Sequence, residues 1–153
     1  MNLKKEQNYM RGALREAIAA FDEDEVPVGA VIVYKDKIIA KAHNQVEMLR
    51  DPTAHAEILA ITQAAAFLKS KWLHDCTMYV TVEPCAMCAG ALVLSRIKRV
   101  VFGACDPKTG AFGSKLDITK LKLNHKVKVN PGVLKEDSVQ LLKEFFKLKR
   151  KPK

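Results

Sequence analysis

The segment 77–95 constrains the fold most strongly, because a β-strand there runs directly into a helix that carries two cysteines. TMYVTV (77–82) is typical of a buried strand. CAMCAGALVLS (85–95) predicts a helix with Cys85 and Cys88 one turn apart. Both sulfurs then face one side, and the positive end of the helix dipole favours the thiolate form that binds metals.

The cysteine pair alone leaves several interpretations open. The chain has 153 residues, 48% of them apolar, and no uncharged apolar run of roughly 18 residues that could span a bilayer. We therefore expect one globular domain over 1–153, no membrane segment and a cytoplasmic location, where disulfides are uncommon. A Cys-x-x-Cys pair also fits a redox motif, a [4Fe–4S] ligand pair or two core cysteines. Cys76 and Cys105 are interpreted as packing residues.

His55 offers a third ligand. Asp51-Pro52-Thr53 predicts a helix start with Thr53 as N-cap. Alternating strands and helices predict parallel neighbouring strands with right-handed crossovers and both central helices on one face. Helices that begin at the carboxyl ends of strands can bring His55 and Cys85 together. One nitrogen and two sulfurs suit zinc and leave a fourth position for water.

Glu57 indicates what such a metal site would do. It follows His55 by two residues, which is a rotation of about 200° on an ideal helix, so helical facing alone does not aim both side chains at one point. The prediction therefore requires the helix terminus itself to abut the metal. Zinc would lower the pKa of water towards ~7, and Glu57 could take the proton and deliver it to a leaving group. This chemistry hydrolyses a polarised C–N centre.

The other elements are predicted from local patterns. Apolar residues at helical spacing predict a helix over 9–21, and 28–34 and 38–43 predict a hairpin. The remaining predicted elements are a strand at 99–104, a glycine-rich loop at 106–114, a possible strand at 127–129 and a closing helix over 136–150.

Positive charge is concentrated in the C-terminal quarter. The net charge is +9, and residues 115–153 hold 12 Lys/Arg against 4 Asp/Glu, whereas residues 1–114 hold 14 against 13. Phe145 and Phe146 lie among lysines, which favours nucleic acid as partner over a membrane or a solvated helix face. Helical spacing predicts that one of these rings is core, and either could face RNA.

Longer motifs resemble a known family. PTAHAEI (52–58) and EPCAMCAG (83–90) resemble the zinc-dependent cytidine-deaminase superfamily. EVPVGAVIV (25–33), DPKTGAFGS (106–114) and the closing FFK are similar to the tRNA-specific adenosine deaminases, which make inosine at the anticodon wobble position. The resemblance covers about residues 8 to 150. It implies an α/β fold of three α/β/α layers around a mixed five-stranded sheet, one zinc ion per subunit, a homodimer and the tRNA anticodon loop as partner.

The resemblance also implies roles for individual residues. His55, Cys85 and Cys88 would hold zinc, and Glu57 would carry protons during attack on carbon 6 of adenine. Backbone N–H groups near Ala56 and Cys85 would stabilise the developing charge. Substrate or RNA contacts are implied at Val28, Asn44, Ala56, Asp106, Pro107, Lys108, Asn124, Phe145, Phe146 and Arg150. Dimer contacts are implied at Met87, Ala91 and Arg96.

Other interpretations of these residues stay open at this point. A deaminase of free bases or nucleosides would share the zinc ligands, and a non-catalytic RNA-binding module could hold a structural zinc. Asn44 is also typical of a turn, as is Asp106 before Pro107. Phe112 is large for its glycine-rich loop and is expected to narrow the mouth of the site.

Overall fold

A central sheet with helices on both faces organises residues 2–150, which are the part of the chain that the computed structural model describes. The helices are α1 (Leu3–Asp22), α2 (Val46–Leu49), α3 (Ala56–Leu68), α4 (Ala86–Leu94) and α5 (Lys135–Arg150), with a 3₁₀ helix at Ile118–Lys120. The strands are β1 (Gly29–Tyr34), β2 (Lys37–His43), β3 (Cys76–Val82), β4 (Arg99–Ala104) and β5 (Lys128–Asn130).

The sheet is mixed, in the order β2-β1-β3-β4-β5. Strand β1 pairs antiparallel with both β2 and β3, whereas β3, β4 and β5 are parallel. The prediction that the strands flanking α3 are neighbours is therefore wrong. Tyr34 pairs with Lys37, and Lys35 and Asp36 between them both have positive φ, which gives a tight two-residue hairpin. Because this hairpin folds β1 back into the sheet, β1 separates β2 from β3.

Each face of the sheet is covered by one pair of longer helices. Residues of α3 and α4, including Ala60 and Leu92, share a core cluster with the strands on one face. Met10 and Leu14 of α1 pack with Val31 and Val101 on the other face, where α5 also contacts β4. The predicted α/β/α layering, the mixed five-stranded sheet and the common face for α3 and α4 are confirmed.

Helix α1 lies directly against the backbone of β1. A Cβ atom placed on Gly29 would lie 2.0 Å from the Ala13 carbonyl oxygen, so only glycine allows this approach. The helix begins at Leu3, earlier than the predicted residue 9, where Asn2 accepts a hydrogen bond from the Lys5 N–H. The close packing holds the C-terminal end of α1 beside the end of β2.

No helix within residues 2–150 is long and apolar enough to cross a membrane. The single-domain organisation over 1–153 stays a prediction, and Met1 and residues 151–153 lie outside the described part.

His43 ties the end of β2 to α1 through two carboxylates. Its Nδ1 lies 3.0 Å from Glu16 Oε1, and its Nε2 contacts Glu23 Oε2. A neutral imidazole carries one N–H, so two carboxylates on opposite nitrogens select the doubly protonated ring. Partial burial lowers the pKa of His43, but the hydrogen bonds to Glu16 and Glu23 outweigh it and raise the pKa above its usual value.

We predict that this clamp makes stability depend on pH. A raised folded-state pKa stabilises the fold fully below the unfolded pKa of ~6.5, and the contribution is lost as pH rises through the folded value. His43→Gln should lower the free energy of unfolding by roughly 1 kcal/mol at most at pH 6, because solvent screens part of the ion pairs. The difference from wild type should shrink at high pH. Denaturant melts across pH test this, with the exposed His74→Gln as control, and a difference independent of pH would contradict the clamp.

Candidate metal centre and active site

The first side chain of the site, His55, occupies the N-cap of α3. It has an extended backbone (φ −78°, ψ 151°), and Asn44 Oδ1 accepts the Ala56 N–H at 2.8 Å. The prediction of Thr53 as N-cap is wrong. The Thr53 N–H and hydroxyl both bond to Asp51 Oδ1, at 2.8 and 2.7 Å, so they close a local turn instead. The helix starts later, and His55 is left outside its first turn.

Cys85 and Cys88 approach His55 from the start of α4. Cys85 is the N-cap, and Cys88 lies one turn inside the helix and is buried. His55 Nδ1 lies 3.7 Å from Cys85 Sγ and 3.5 Å from Cys88 Sγ. The three ligand atoms all lie within 4.8 Å of one another. The two helix starts on one face of the sheet thus bring the predicted ligands together.

The spacing of the three atoms fits a tetrahedral zinc ion. Zinc bonds of ~2.3 Å to sulfur and ~2.0 Å to nitrogen place neighbouring S and N ligands about 3.5 Å apart, close to both distances above. These residues could therefore hold one zinc ion and leave a fourth position open.

The electrostatics of the cluster favour a thiolate beside a charged imidazole. Hydrogen bonds from Cys88 and then from His55 lower the pKa of the Cys85 thiol to about 4. The hydrogen bond between the Cys85 and Cys88 side chains, followed by burial, raises the pKa of the Cys88 thiol. The hydrogen bond to Cys85 raises the pKa of His55. A divalent cation can replace the protons that these groups share, since metal ligands must be deprotonated.

Glu57 is a buried acid beside this cluster. Its side chain is 4% exposed, and burial raises its pKa to about 7, although the charged form of His55 counteracts part of this effect. The rotation of about 200° that separates residues two apart on an ideal helix does not apply here. His55 lies at the extended N-cap, outside the helix, whereas Glu57 lies inside the first turn. Both residues line the same cavity. A carboxyl group with a pKa near neutrality can both accept and donate a proton at physiological pH.

A cavity of about 840 Å³ opens above these residues. Of the predicted site residues, those that line it are Val28, Asn44, His55, Glu57, Cys85, Asp106 and Phe145. Cys88 is buried behind Cys85, and the other predicted contacts, which are Ala56, Pro107, Lys108, Asn124, Phe146 and Arg150, are absent from the lining.

The N–H of Ala56 donates to Asn44 Oδ1 at 2.8 Å, and the role of this N–H in stabilising a developing charge stays a prediction. The Asn44 amide nitrogen has no hydrogen-bond partner within residues 2–150, and Asn44 lines the cavity. Asn44 therefore accepts the first backbone N–H of α3 and also presents a polar group to the cavity.

The C-terminal helix presents one phenylalanine and buries the other. Phe145 is 5% exposed, packs edge-on against Phe21 and contributes a cavity wall, whereas Phe146 is 41% exposed. Phe145 is thus the predicted core ring and Phe146 the ring on the surface. Arg150 Nε donates to the Phe146 carbonyl at 3.3 Å, and Asn124 is exposed in the loop that precedes β5.

The prediction that Phe112 narrows the mouth of the site is wrong. Phe112 is 8% exposed, belongs to the core cluster under α3 and α4, and lines a second cavity beside the 3₁₀ helix. A large side chain in a glycine-rich loop can turn inward when apolar neighbours are available, and the sequence pattern carries no sign of that direction.

Sequence reasoning missed most of the acidic lining of the cavity. The run of four consecutive acidic residues at 22–25 could have indicated an acidic wall. Three of these residues line the cavity, together with Glu47 and Glu83. Several of these carboxylates already have partners: Glu23 contacts His43, Asp24 Oδ1 lies 2.6 Å from Lys149 Nζ, and Glu25 binds the Glu47 and Met48 N–H groups. These carboxylates lie in the walls of the cavity, whereas Glu57 lies on its floor beside His55, Cys85 and Cys88.

Comparison with known proteins identifies the family. Residues 4–150 match the MafB19-like deaminases. The chain belongs to this family of deaminases. A tRNA-specific adenosine deaminase from Aquifex aeolicus is 54% identical over 140 residues, covering 91% of this chain and 92% of the relative. The predicted resemblance to tRNA-specific adenosine deaminases is confirmed.

Solved structures of other deaminases share the fold. One, from a study of A-to-I editing by tRNA deaminases at the wobble position of transfer RNA, is 39% identical with a TM-score of 0.83, covering 88% of this deaminase and 99% of that chain. A guanine deaminase from Nitrosomonas europaea is 28% identical with a TM-score of 0.76, covering 91% and 83% respectively. The common scaffold therefore accompanies different substrates.

We predict that metal binding by this deaminase depends on Cys88. Cys88→Ala should lower the zinc content from about one ion per chain to below ~0.1, because two remaining ligands rarely retain zinc. Elemental analysis of dialysed protein measures this. Cys105, which was predicted to be a packing residue, is instead exposed and lies outside the cluster, so Cys105→Ser should keep full zinc content. Equal zinc in both variants would mean that the metal is bound elsewhere.

Proposed function

We propose that this deaminase converts adenosine to inosine at the wobble position of a tRNA anticodon. The observation that carries the proposal is the His55, Cys85 and Cys88 cluster beside buried Glu57, in a chain 54% identical to a tRNA-specific adenosine deaminase. The proposal includes one zinc ion per subunit and a cytoplasmic location, which keeps the cysteines reduced.

The side chains divide the reaction between them. Zinc held by His55, Cys85 and Cys88 would supply a hydroxide nucleophile near neutral pH. Glu57, with a pKa of about 7, would take one proton from the attacking water and deliver it to the ring nitrogen, and would then move the proton of the new hydroxyl group to the amine, so that the C–N bond breaks and ammonia departs. Asn44 donates from its amide nitrogen to the base, and Val28 packs against the ring.

The RNA contacts are proposed around the cavity mouth. Asp106 lines the cavity, and Pro107 and Lys108 follow on the exposed side of the same loop. Phe146 on α5 offers an exposed ring, and Arg150 an exposed charge. Unstacked bases of an RNA loop bind aromatic rings and cationic side chains in this way. Asn124, on a separate loop, is proposed as a further contact.

We also propose a homodimer that uses the outer face of α4. Met87 is 37% exposed and Leu94 is 79% exposed on this helix, and a Cβ on Gly90 would meet open space. Ala91 and Arg96 are half-buried beside them. Exposed apolar side chains on one helix favour a protein contact.

Deamination of a free base is the second candidate, because a guanine deaminase shares the fold at 28% identity. Incubation with an anticodon stem-loop carrying wobble adenosine, and separately with adenosine, cytidine and guanine, distinguishes the two. Inosine formed only in the RNA supports the proposal. Turnover only of a small molecule replaces it with the second candidate, and zinc binding without any turnover would indicate a non-catalytic RNA-binding module.

We predict that Glu57→Ala keeps the fold and the zinc but lowers the deamination rate by at least ~100-fold, because general acid–base catalysis contributes on that scale. The rate of inosine formation at saturating RNA measures this. Glu47→Ala, which removes an exposed acid from the lining of the same cavity, should retain most of the activity. If Glu57→Ala keeps a tenth of the wild-type rate, another group carries the proton.

Removal of residues 149–153 is predicted to weaken RNA binding without affecting zinc. The deletion removes four positive charges, two of them on residues 151–153, which lie outside the described part. Each lost phosphate contact lowers the slope of log affinity against log salt by ~0.7 for single strands. Binding titrations between low and moderate salt measure the slope. Lys69→Gln with Lys71→Gln, at the far end of α3, is the control, and an unchanged slope in the deletion would make the tail a solvated terminus.

A further inference from the structure

A buried carboxylate next to the metal-binding helix organises the loop on one side of the cavity. Glu83 lies between β3 and Cys85 and is 3% exposed. Its Oε1 accepts the Asp106 N–H at 3.1 Å and the Ser114 hydroxyl. Its Oε2 accepts the Phe112 N–H at 2.9 Å and the Ser114 N–H at 3.2 Å. One side chain therefore binds both ends of the segment 106–114.

The backbone of the loop lies directly on the same carboxylate. A Cβ on Gly110 would lie 2.4 Å from the carboxyl carbon of Glu83, so a larger residue there would displace this carboxylate from its hydrogen bonds. The Ala111 N–H also donates to the Pro84 carbonyl at 2.9 Å. The middle of the loop is thus attached alongside the residues that lead into Cys85.

These contacts reach the cavity through Asp106. Glu83 holds the Asp106 backbone, and the Asp106 carboxylate in turn accepts the Lys108 and Thr109 N–H groups at 3.0 and 3.2 Å and the Thr109 hydroxyl at 2.7 Å. Asp106 and Thr109 both line the cavity. A chain of hydrogen bonds therefore leads from Glu83 to the wall that a substrate would meet.

Glu83 is also fixed relative to the metal cluster. Its N–H donates to the Ala104 carbonyl at 2.8 Å, at the end of β4, and Cys85 follows two residues later. We propose that Glu83 is a positioning residue that holds the 106–114 loop in register with the metal-binding end of α4 and thereby sets substrate affinity. The substrate class rests on the proposed function, whereas the ordering of the loop does not.

A purely structural role makes a different prediction from a positioning role. If Glu83 only stabilised the fold, its loss would reduce the folded fraction and lower the apparent kcat without raising KM. If it positions the loop, the cluster and Glu57 stay in place, so that KM rises while kcat is largely retained. Charged acceptors of several buried N–H groups are costly to replace, because each unpaired donor stays desolvated.

The test compares Glu83→Gln with Glu6→Gln. Glutamine keeps the shape but replaces one acceptor oxygen by an NH₂ group, which cannot accept a backbone N–H, although the Ser114 hydroxyl can turn and accept from it. Glu6 is a matched control, since its carboxylate is also buried (8% exposed) and pairs with Arg99 at 2.6 Å, in α1 on the opposite face of the sheet. Zinc content, hydrogen exchange of the 106–114 amides, KM and kcat are measured on the full-length protein, with whichever substrate wild type deaminates.

For Glu83→Gln we expect full zinc content, at least tenfold faster exchange of one or more of the Asp106, Phe112 and Ser114 amides, a KM at least tenfold higher and a kcat within threefold of wild type. Glu6→Gln should leave exchange in this loop and KM unchanged. Unchanged loop exchange, or a fall in kcat at constant KM, would overturn the proposal. If Glu83→Gln does not fold, Ser114→Ala is the second variant, because it removes only the hydroxyl contact to Glu83. It should speed amide exchange in the 106–114 loop and raise KM, each by a smaller factor than Glu83→Gln. An unchanged exchange rate and KM in Ser114→Ala would overturn the proposal.

The two kinds of failure are distinguishable. Absence of inosine in RNA would end the proposed function while the exchange data still decide the loop contact. Inosine formation with unaltered exchange in both variants would keep the proposed function and end the positioning role of Glu83.

Discussion

The hydrogen bond from the Ala56 N–H to Asn44 Oδ1 determines the geometry of the candidate metal cluster of His55, Cys85 and Cys88. It starts α3 one residue after His55 and so leaves this residue in an extended conformation at the N-cap. From there Nδ1 reaches both sulfurs at the start of α4, while Glu57 turns into the same cavity from the first turn. A start at Thr53 would place His55 and Glu57 inside the helix about 200° apart, and the cluster and the acid could not then share one cavity.

The electrostatics of the cavity follow from how its carboxylates are used. Glu25, Glu83 and Asp106 accept backbone N–H groups and hold loops. Asp24 pairs with Lys149 at the rim. Glu57 differs because burial, which raises its pKa to about 7, outweighs the hydrogen bonds and charges that favour ionisation. A buried acid whose pKa suits proton transfer therefore lies inside an acidic cavity, and Lys147 and Arg150 of the C-terminal helix lie outside the cavity lining.

Local sequence patterns were sufficient to predict the cluster, because the strand-to-helix junction at 77–95 and the helix start near 55 are local features and the strand ends meet at one edge. The sheet order was not predictable in the same way, since the hairpin turn at Lys35 and Asp36 inserts β1 between strands that are separated by α3 in the chain. Which of Phe145 and Phe146 is buried depends on the tertiary contact with Phe21. Phe112 likewise turns into a core that no local pattern describes.

Helix starts form the floor of the cavity, whereas loops held by buried carboxylates form two of its walls. Glu25 accepts the Glu47 and Met48 N–H groups at 3.0 and 2.8 Å and so fixes α2 on one side, as Glu83 fixes the 106–114 loop on the other. In the proposed reaction the floor supplies the chemistry of C–N hydrolysis, and the loops supply the contacts to the remainder of the substrate. A guanine deaminase shares the fold with a TM-score of 0.76, so the scaffold alone does not fix the substrate. Under this proposal, substrate choice rests with the loops and with the carboxylates that hold them.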